Sequence, residues 1–308
     1  MTHLEKIHEL QATIRAAVAP LVDRDYWLLE VPYYTNIGDT LIWQGEMDFS
    51  KTLPYRCKGM KSYSSRELPK VKDGDLVLFQ GGGNFGDLWK EPRGYRRQIM
   101  EAFPHCKYVV FPQTVQWNDG GTLKADAEFY AKYDCTICAR DQRSYDILKA
   151  NFKNEILLVP DMAFCIDMAK WHTQFAAEKP LLIKRCDCEL KMMAAVEQAS
   201  KIPGIDIEDW RTMSQVSRYD IWGGRIRRHL ACGYDWYMDK LYRPYLINSG
   251  IQQLASHTEI YTTRLHACIL SILLGKDKIA FFDNSYGKNS GFYETWLSDC
   301  DNVEMVYG

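Results

Sequence analysis

No stretch of this 308-residue chain approaches the roughly 18 consecutive apolar residues that a membrane-spanning helix requires. The opening segment, MTHLEKIHELQATIRAAVAPLV, also lacks the unbroken apolar core and small-residue cleavage site of a secretory signal, which predicts a cytoplasmic protein. Charge of one sign is not in excess: 38 Lys and Arg stand against 40 Asp and Glu, so bulk attraction to nucleic acid or to an anionic surface is excluded and any cationic site must be local. Cysteine is too sparse for a disulfide scaffold, ten residues scattered over the chain. Cys135 and Cys138 form a C-x-x-C inside the strand-like run DCTICAR, and Cys186 and Cys188 a C-x-C. The first pair does not stand at a helix start and neither has a matching second pair, so both read as structural thiols rather than redox or metal sites. Internal repeats and low-complexity tracts are also missing.

What the chain does have is 46% hydrophobic residues, enough for two domain cores. Leu4, Ile7, Leu10, Ile14, Ala17, Val18 and Leu21 recur at helical spacing and predict an amphipathic helix docked on a core. Beyond it, the short apolar runs YWLLEV, DLVLF, KYVVF, CTICA, EILLV, LLIK, EIYTT and KIAFF alternate with segments of helical spacing. That rhythm is the mark of an α/β protein with parallel sheets covered on both faces. It breaks near residues 167–180, which predicts one domain over 1–170 and a second over 171–308.

In such sheets ligands bind beyond the carboxyl ends of strands, where helix N-termini present unpaired N–H groups. Four strand ends carry suitable chemistry. TNIGD supplies Asn36, Gly38 and Asp39; QGGGNFGD supplies Gly82, Gly83, Asn84 and Asp87; CARD supplies Arg140 and Asp141; TTRLH supplies Arg264 and His266. Gly81, Gly83 and Gly86 satisfy G-x-G-x-x-G, but the next run ends in Pro112 and Gln113, not in the acidic residue that binds a ribose. A tight structural turn and a substrate-facing loop therefore stand beside the dinucleotide reading, and the loop reading is favoured. Asp39 and Asp87 each follow a glycine at a predicted helix start, where they could cap the helix, supply a carboxylate base or hold sugar hydroxyls. Arg140 leaves an apolar run and is either half of a buried ion pair with Asp141 or Asp161 or a fork for an anion. Arg264 and His266 open a helix that is apolar almost all round. A guanidinium at the positive end of a helix dipole is unfavourable until an anion arrives, and the same anion would push a neighbouring imidazole toward its protonated form. Between Trp210 and Tyr245, six arginines interleave with tryptophans and tyrosines. Such a surface suits sugars and phosphates, while the balanced charge argues against a nucleic-acid partner.

Taken together, TNIGDTLIWQGE, FQGGGNFGDLW, ARDQRS, VPDMAF, TTRLHACILSILLGK and FFDNSYGKNSGFYETW make the sequence resemble the polysaccharide pyruvyl transferase family over residues 35–297. The resemblance implies two Rossmann-like domains facing across a cleft, as in GT-B glycosyltransferases. It implies transfer of pyruvate from phosphoenolpyruvate to two hydroxyls of a sugar in a capsule or exopolysaccharide precursor, lipid-linked and met at the inner membrane face, with no other cofactor. It makes Arg140 and Arg264 binders of the phosphoenolpyruvate anion, places Leu265 in the same binding set, and makes His266 the general acid, with Asp39 or Asp87 as base. The tail departs from that of more distant family members in its polar loop Asn284–Lys288, which predicts Lys288 as an added phosphate contact. The rivals are a nucleotide-sugar glycosyltransferase of the same fold and a non-catalytic glycan-binding subunit.

Overall fold

A computed structural model describes the chain except residues 66, 172–177, 187–193, 230, 285 and 308; for residues 229, 231 and 232 it describes the backbone alone. Cys188 and Ser285 thus lie outside the described residues. Two compact units divide the chain: Met1–Leu10, Tyr34–Leu41 and Asp167–Gly308 form one, Gln11–Tyr33 and Ile42–Ile166 the other.

The second of these units holds a seven-stranded sheet made of β1 (Tyr26–Leu29), β2 (Cys57–Lys61), β3 (Leu76–Phe79), β4 (Gly82–Gly86), β5 (Lys107–Gln116), β6 (Asp134–Ala139) and β7 (Glu155–Leu158). All recorded pairings are parallel, in the order β2-β1-β3-β5-β6-β7, with β4 also on β5. Burial of LVLF in β3 and of YVVFPQTV in β5 explains why these runs read as continuous apolar stretches rather than alternating ones. Phe79, Tyr108, Ile137, Phe85 and Phe152 belong to the core of this unit.

The glycine run is the main departure from the sequence reading. It is strand β4, continuing alongside the far half of β5 from Gly82 opposite Gln113 to Gly86 opposite Gln116, and the next helix starts only at Lys90. Pro112 has no N–H to give the ladder, and the break between β3 and β4 falls beside it: a methyl on Gly81 would lie 2.8 Å from the Pro112 carbonyl oxygen. At Gly86, φ is 132° and a methyl would meet the Gln116 oxygen at 1.9 Å, so only glycine fits. Asp87 consequently stands after a strand, not at a helix start.

The other unit holds β8 (Lys179–Ile183), β9 (Asp206–Glu208), β10 (His257–Thr262), β11 (Ile279–Phe282) and β12 (Val303–Val306), parallel in the order β12-β11-β10-β8-β9. The chain moves outward from β8 to β9, then returns to the other side of β8 with β10. The strand order therefore reverses between β8 and β10, the kind of switch point at which open parallel sheets bind ligands. The Leu265–Leu273 helix follows β10 and is buried from Leu265 to Ile272, as its composition predicts. The N-terminal helix spans His3–Val18, with Leu10, Ile14 and Val18 buried but Leu4 58% exposed, so Leu4 is not part of its core face.

Candidate functional site

At the switch point, Arg264 is the N-cap of the Leu265–Leu273 helix, with extended backbone at φ −108°. Its N–H bonds Thr262 Oγ1 at 2.9 Å, which fixes the exit from β10. The carbonyl of Arg264 accepts from Ala267 and Cys268 N–H at 3.1 and 3.2 Å, closing the first turn. Residues 265 and 266 sit where helical N–H groups have no intrahelical acceptor, and the dipole is positive there. The guanidinium of Arg264 forks onto Asp209, Nε to Oδ1 and Nη2 to Oδ2, the latter at 2.6 Å. Asp209 follows β9 directly and also accepts the Trp210 N–H at 2.8 Å and the Cys186 N–H at 3.2 Å. Three strand ends thus meet at one carboxylate. Arg185, just past β8 and also buried, has its N–H on Thr263 Oγ1 at 3.0 Å. Asn289, fully buried, donates to the Thr263 and Phe282 carbonyls at 3.0 and 2.8 Å, so the tail segment is tied to the residue before Arg264.

A piece from the start of the chain completes this arrangement. Residues 34–41 count with the same unit. Asn36 caps the Ile37–Ser50 helix: its Oδ1 accepts the Gly38 N–H at 2.9 Å and its Nδ2 donates to Asp39 Oδ2 at 2.8 Å. Asp39 is therefore not the cap; it lies in the first turn, where Tyr34 Oη also donates to it at 2.9 Å. The segment is fastened by Thr35, whose hydroxyl lies 2.8 Å from Tyr242 Oη, and by Ile37, packed so close that a methyl on Gly250 would sit 2.8 Å from its Cγ2. Tyr242 Oη donates to Asp220. Burial opposes ionisation of Asp220, but hydrogen bonds from Ser217, Tyr242 and Thr35 outweigh it and hold the carboxyl below its ordinary range.

Gly38 then comes against His266. A methyl at position 38 would stand 2.6 Å from His266 Nδ1 and 3.1 Å from its Cγ, so the imidazole occupies the space a side chain there would need. Residues 36–39 and 264–266, more than two hundred positions apart in sequence, form one constellation: an imidazole, a guanidinium, a carboxylate and two helix N-termini.

Of the remaining sequence candidates, Arg140, Asp87, Asn84, Gly82 and Gly83 belong to the other unit, and Lys288 to the tail of this one. Arg140 is fully buried, with Nη1 2.7 Å from Asp161 and Nε donating to Thr114 Oγ1 at 2.9 Å; of the two readings open for it, the geometry is that of the buried ion pair. Thr114 passes the chain of bonds to Asp141 at 2.7 Å. Asp87 accepts the N–H groups of Asn118 and Asp119 at 2.8 to 3.0 Å and so braces the turn before the Gly120–Tyr130 helix. Asn84 is held by the Arg96 guanidinium, itself 2.6 Å from buried Glu30. Gly82 and Gly83 are strand residues. Lys288 opens the Lys288–Trp296 helix, its N–H on Asn284 Oδ1 at 2.7 Å. The C-x-x-C pair lies inside β6, free and buried, and burial pushes both thiols up, that of Cys138 to about 12.

Asp209, Arg185 and Asn289 escaped the sequence reading. β9, three residues long, carries too little apolar signal for its end to be recognised; Arg185 does end the run LLIK, and applying the strand-end rule there would have found it.

The family model described as polysaccharide pyruvyl transferase matches residues 19–281. The chain belongs to that family. Among curated relatives of this pyruvyl transferase family member, the Bacillus subtilis protein named "Putative pyruvyl transferase EpsO" is 30% identical over 284 residues, covering 90% of this chain and 87% of its own. "Pyruvyl transferase 1" of Schizosaccharomyces pombe is 28% identical over 303 residues, 91% of this chain and 72% of its own. A solved structure of a Klebsiella pneumoniae protein of uncharacterized function superposes with a TM-score of 0.64 over 99% of this chain and 98% of its own, at 18% identity. That likeness concerns the fold.

Proposed function

We propose that this protein transfers pyruvate from phosphoenolpyruvate to two hydroxyls of one sugar in a lipid-linked polysaccharide precursor, leaving a ketal and inorganic phosphate. The observation that carries the reading is the convergence of Arg264, His266 and the Asn36–Asp39 turn at the switch point of one sheet. Phosphoenolpyruvate bears a carboxylate and a phosphate, which suit Arg264, Arg185 and the N–H groups of the Leu265–His266 turn. Lys288 supplies a further cation from the tail.

His266 gives its proton to the methylene carbon of the donor, and the adjacent carbon becomes electron-poor. One sugar hydroxyl attacks that carbon and yields its proton to Asp39, which Tyr34 and Asn36 hold in place. The bond to phosphate then breaks, the second hydroxyl closes the ring, and phosphate departs with the remaining proton. Asp39 takes the base role because it follows Gly38, the residue against the His266 imidazole.

Phosphate release from phosphoenolpyruvate, measured with acceptors bearing galactose, glucose or mannosamine, tests the reading. Turnover with one acceptor and its loss in His266→Asn is the expected result. Thermal protection by a nucleoside diphosphate and none by phosphoenolpyruvate would replace it with a glycosyltransferase.

A further inference from the structure

The Arg218–His229 helix turns an unusual face to solvent. A reciprocal capping box fixes its start, with Asp220 N–H on Ser217 Oγ at 3.2 Å and Ser217 N–H on Asp220 Oδ2 at 2.7 Å. Its inner side is equally determined. Tyr219 stacks on Tyr245 at 4.3 Å, the Tyr219 carbonyl accepts from Tyr237 Oη at 2.8 Å, and a methyl on Gly223 would sit 3.2 Å from the Tyr237 ring. With that side anchored, Arg218, Ile221, Trp222, Arg225 and Arg228 recur at the i, i+3, i+4, i+7, i+10 spacing of the opposite face. All five are exposed, Ile221 at 51% and Trp222 at 55%. Arg225 lies 5.5 Å from the centre of the Trp222 ring. Asp220 points inward to Tyr242, so no carboxylate of the described helix shares the outward face.

We propose that this face is a docking surface for an anionic lipid bilayer, Trp222 and Ile221 entering the headgroup boundary and the three arginines meeting lipid phosphates. The proposal deepens the reading of a lipid-linked acceptor and rests on it for its biological purpose. An exposed tryptophan beside an isoleucine gains from an apolar medium, and arginines that keep their heads at the phosphate level while their stems cross the apolar zone complement a negative surface. A second copy of the chain fits less well, since a two-fold contact would set these arginines against their own equivalents. Single-stranded nucleic acid would use the tryptophan but leave Ile221 without an apolar environment.

The test is sedimentation of the full chain with vesicles of phosphatidylcholine alone and of phosphatidylcholine with phosphatidylglycerol. Binding to the anionic vesicles, weakened by salt, is expected, with a loss of about fivefold for Arg225→Glu and again for Arg228→Glu, and about tenfold for Trp222→Ser. Thermal melts of each variant show whether it remains folded, and Ile221→Ser serves as a second apolar probe should Trp222→Ser not fold. Equal binding to neutral vesicles, no binding at all, or retention by the folded variants would overturn the proposal. So would a concentration-dependent dimer or oligonucleotide binding abolished by the same substitutions in place of lipid binding. Because vesicle binding is read without turnover, its failure is distinguishable from failure of the pyruvyl transfer reading.

Discussion

His266 lies against the Cα of Gly38, so that the ring and any side chain at position 38 compete for the same volume. The glycine is needed here because a neighbour fills the space, and its φ is ordinary. Gly38→Ala places a methyl 2.6 Å from Nδ1, and the ring must move. The expected result is a protein that folds, because the helix around residue 38 favours alanine, with kcat/KM lowered about 100-fold by misplacement of the proposed acid. Steady-state kinetics beside circular dichroism checks it; full activity in Gly38→Ala would remove His266 from the reaction or show that the ring has room to shift.

Asp209 holds Arg264 in the absence of an anion, and both side chains are 8% exposed. Removing one partner of such a pair costs about 3–5 kcal/mol by stranding the other. Asp209→Ala is therefore expected to melt well below the parent. Phosphoenolpyruvate should raise the melting temperature of the variant more than that of the parent, because the ligand anion replaces the lost carboxylate. Equal shifts in both would separate Arg264 from the donor site.

Arg140 and Asp161 allow the two readings of that arginine to be separated. If the internal pair is its whole role, Asp161→Asn destabilises by about 3–5 kcal/mol, while Arg140→Met with Asp161→Asn, which keeps an acceptor for the Ala163 N–H, recovers much of that loss. In that double variant the KM for phosphoenolpyruvate is expected to stay within about twofold of the parent. A large rise in KM with stability preserved would return Arg140 to the donor site.

Glu46 is fully buried, with Oε1 accepting the Gly81 N–H at 2.9 Å and Oε2 unbonded. Burial raises its pKa well above the ordinary value, the Gly81 hydrogen bond offsetting only part of this. A folded-state pKa above the unfolded one means that the group's stabilising contribution is complete below the ordinary carboxyl range and is lost as pH rises through the folded value. Glu46→Gln keeps the acceptor and cannot ionise, so it should melt higher than the parent at about pH 8 and converge with it toward about pH 5. Glu30, raised to about 7 by burial against the opposing pull of Arg96, remains in both proteins and leaves a residual slope of the same sign. A difference independent of pH would refute the assignment.

Among the described residues, eight of the twelve strands were legible as apolar runs, most of them because strands buried along their length need no alternation to reveal them. β2 and β12 are half-buried edges, β9 is three residues long, and β4 is mostly glycine, so none of these offers an apolar signal. The strand-end rule found Arg264, His266, Asn36, Gly38 and Asp39 but could not show that they meet. That Gly38 and His266 share one surface depends on Ile37 packing against Gly250 and Thr35 reaching Tyr242, contacts between positions with no common spacing. The predicted helix start at Asp87 failed for a related reason: a glycine forced by close strand approach, as at Gly86, looks the same in sequence as one opening a helix.

The Ile37–Ser50 helix begins among residues that count with one unit and continues among residues that count with the other. No single cut of the gene can therefore separate the halves cleanly. A fragment starting near residue 167 keeps the five-stranded sheet, Arg264 and His266, yet discards the turn that lies against the imidazole. If the proposed reaction holds, such a truncation has lost Asp39 and the wall against His266 and is expected to show no turnover.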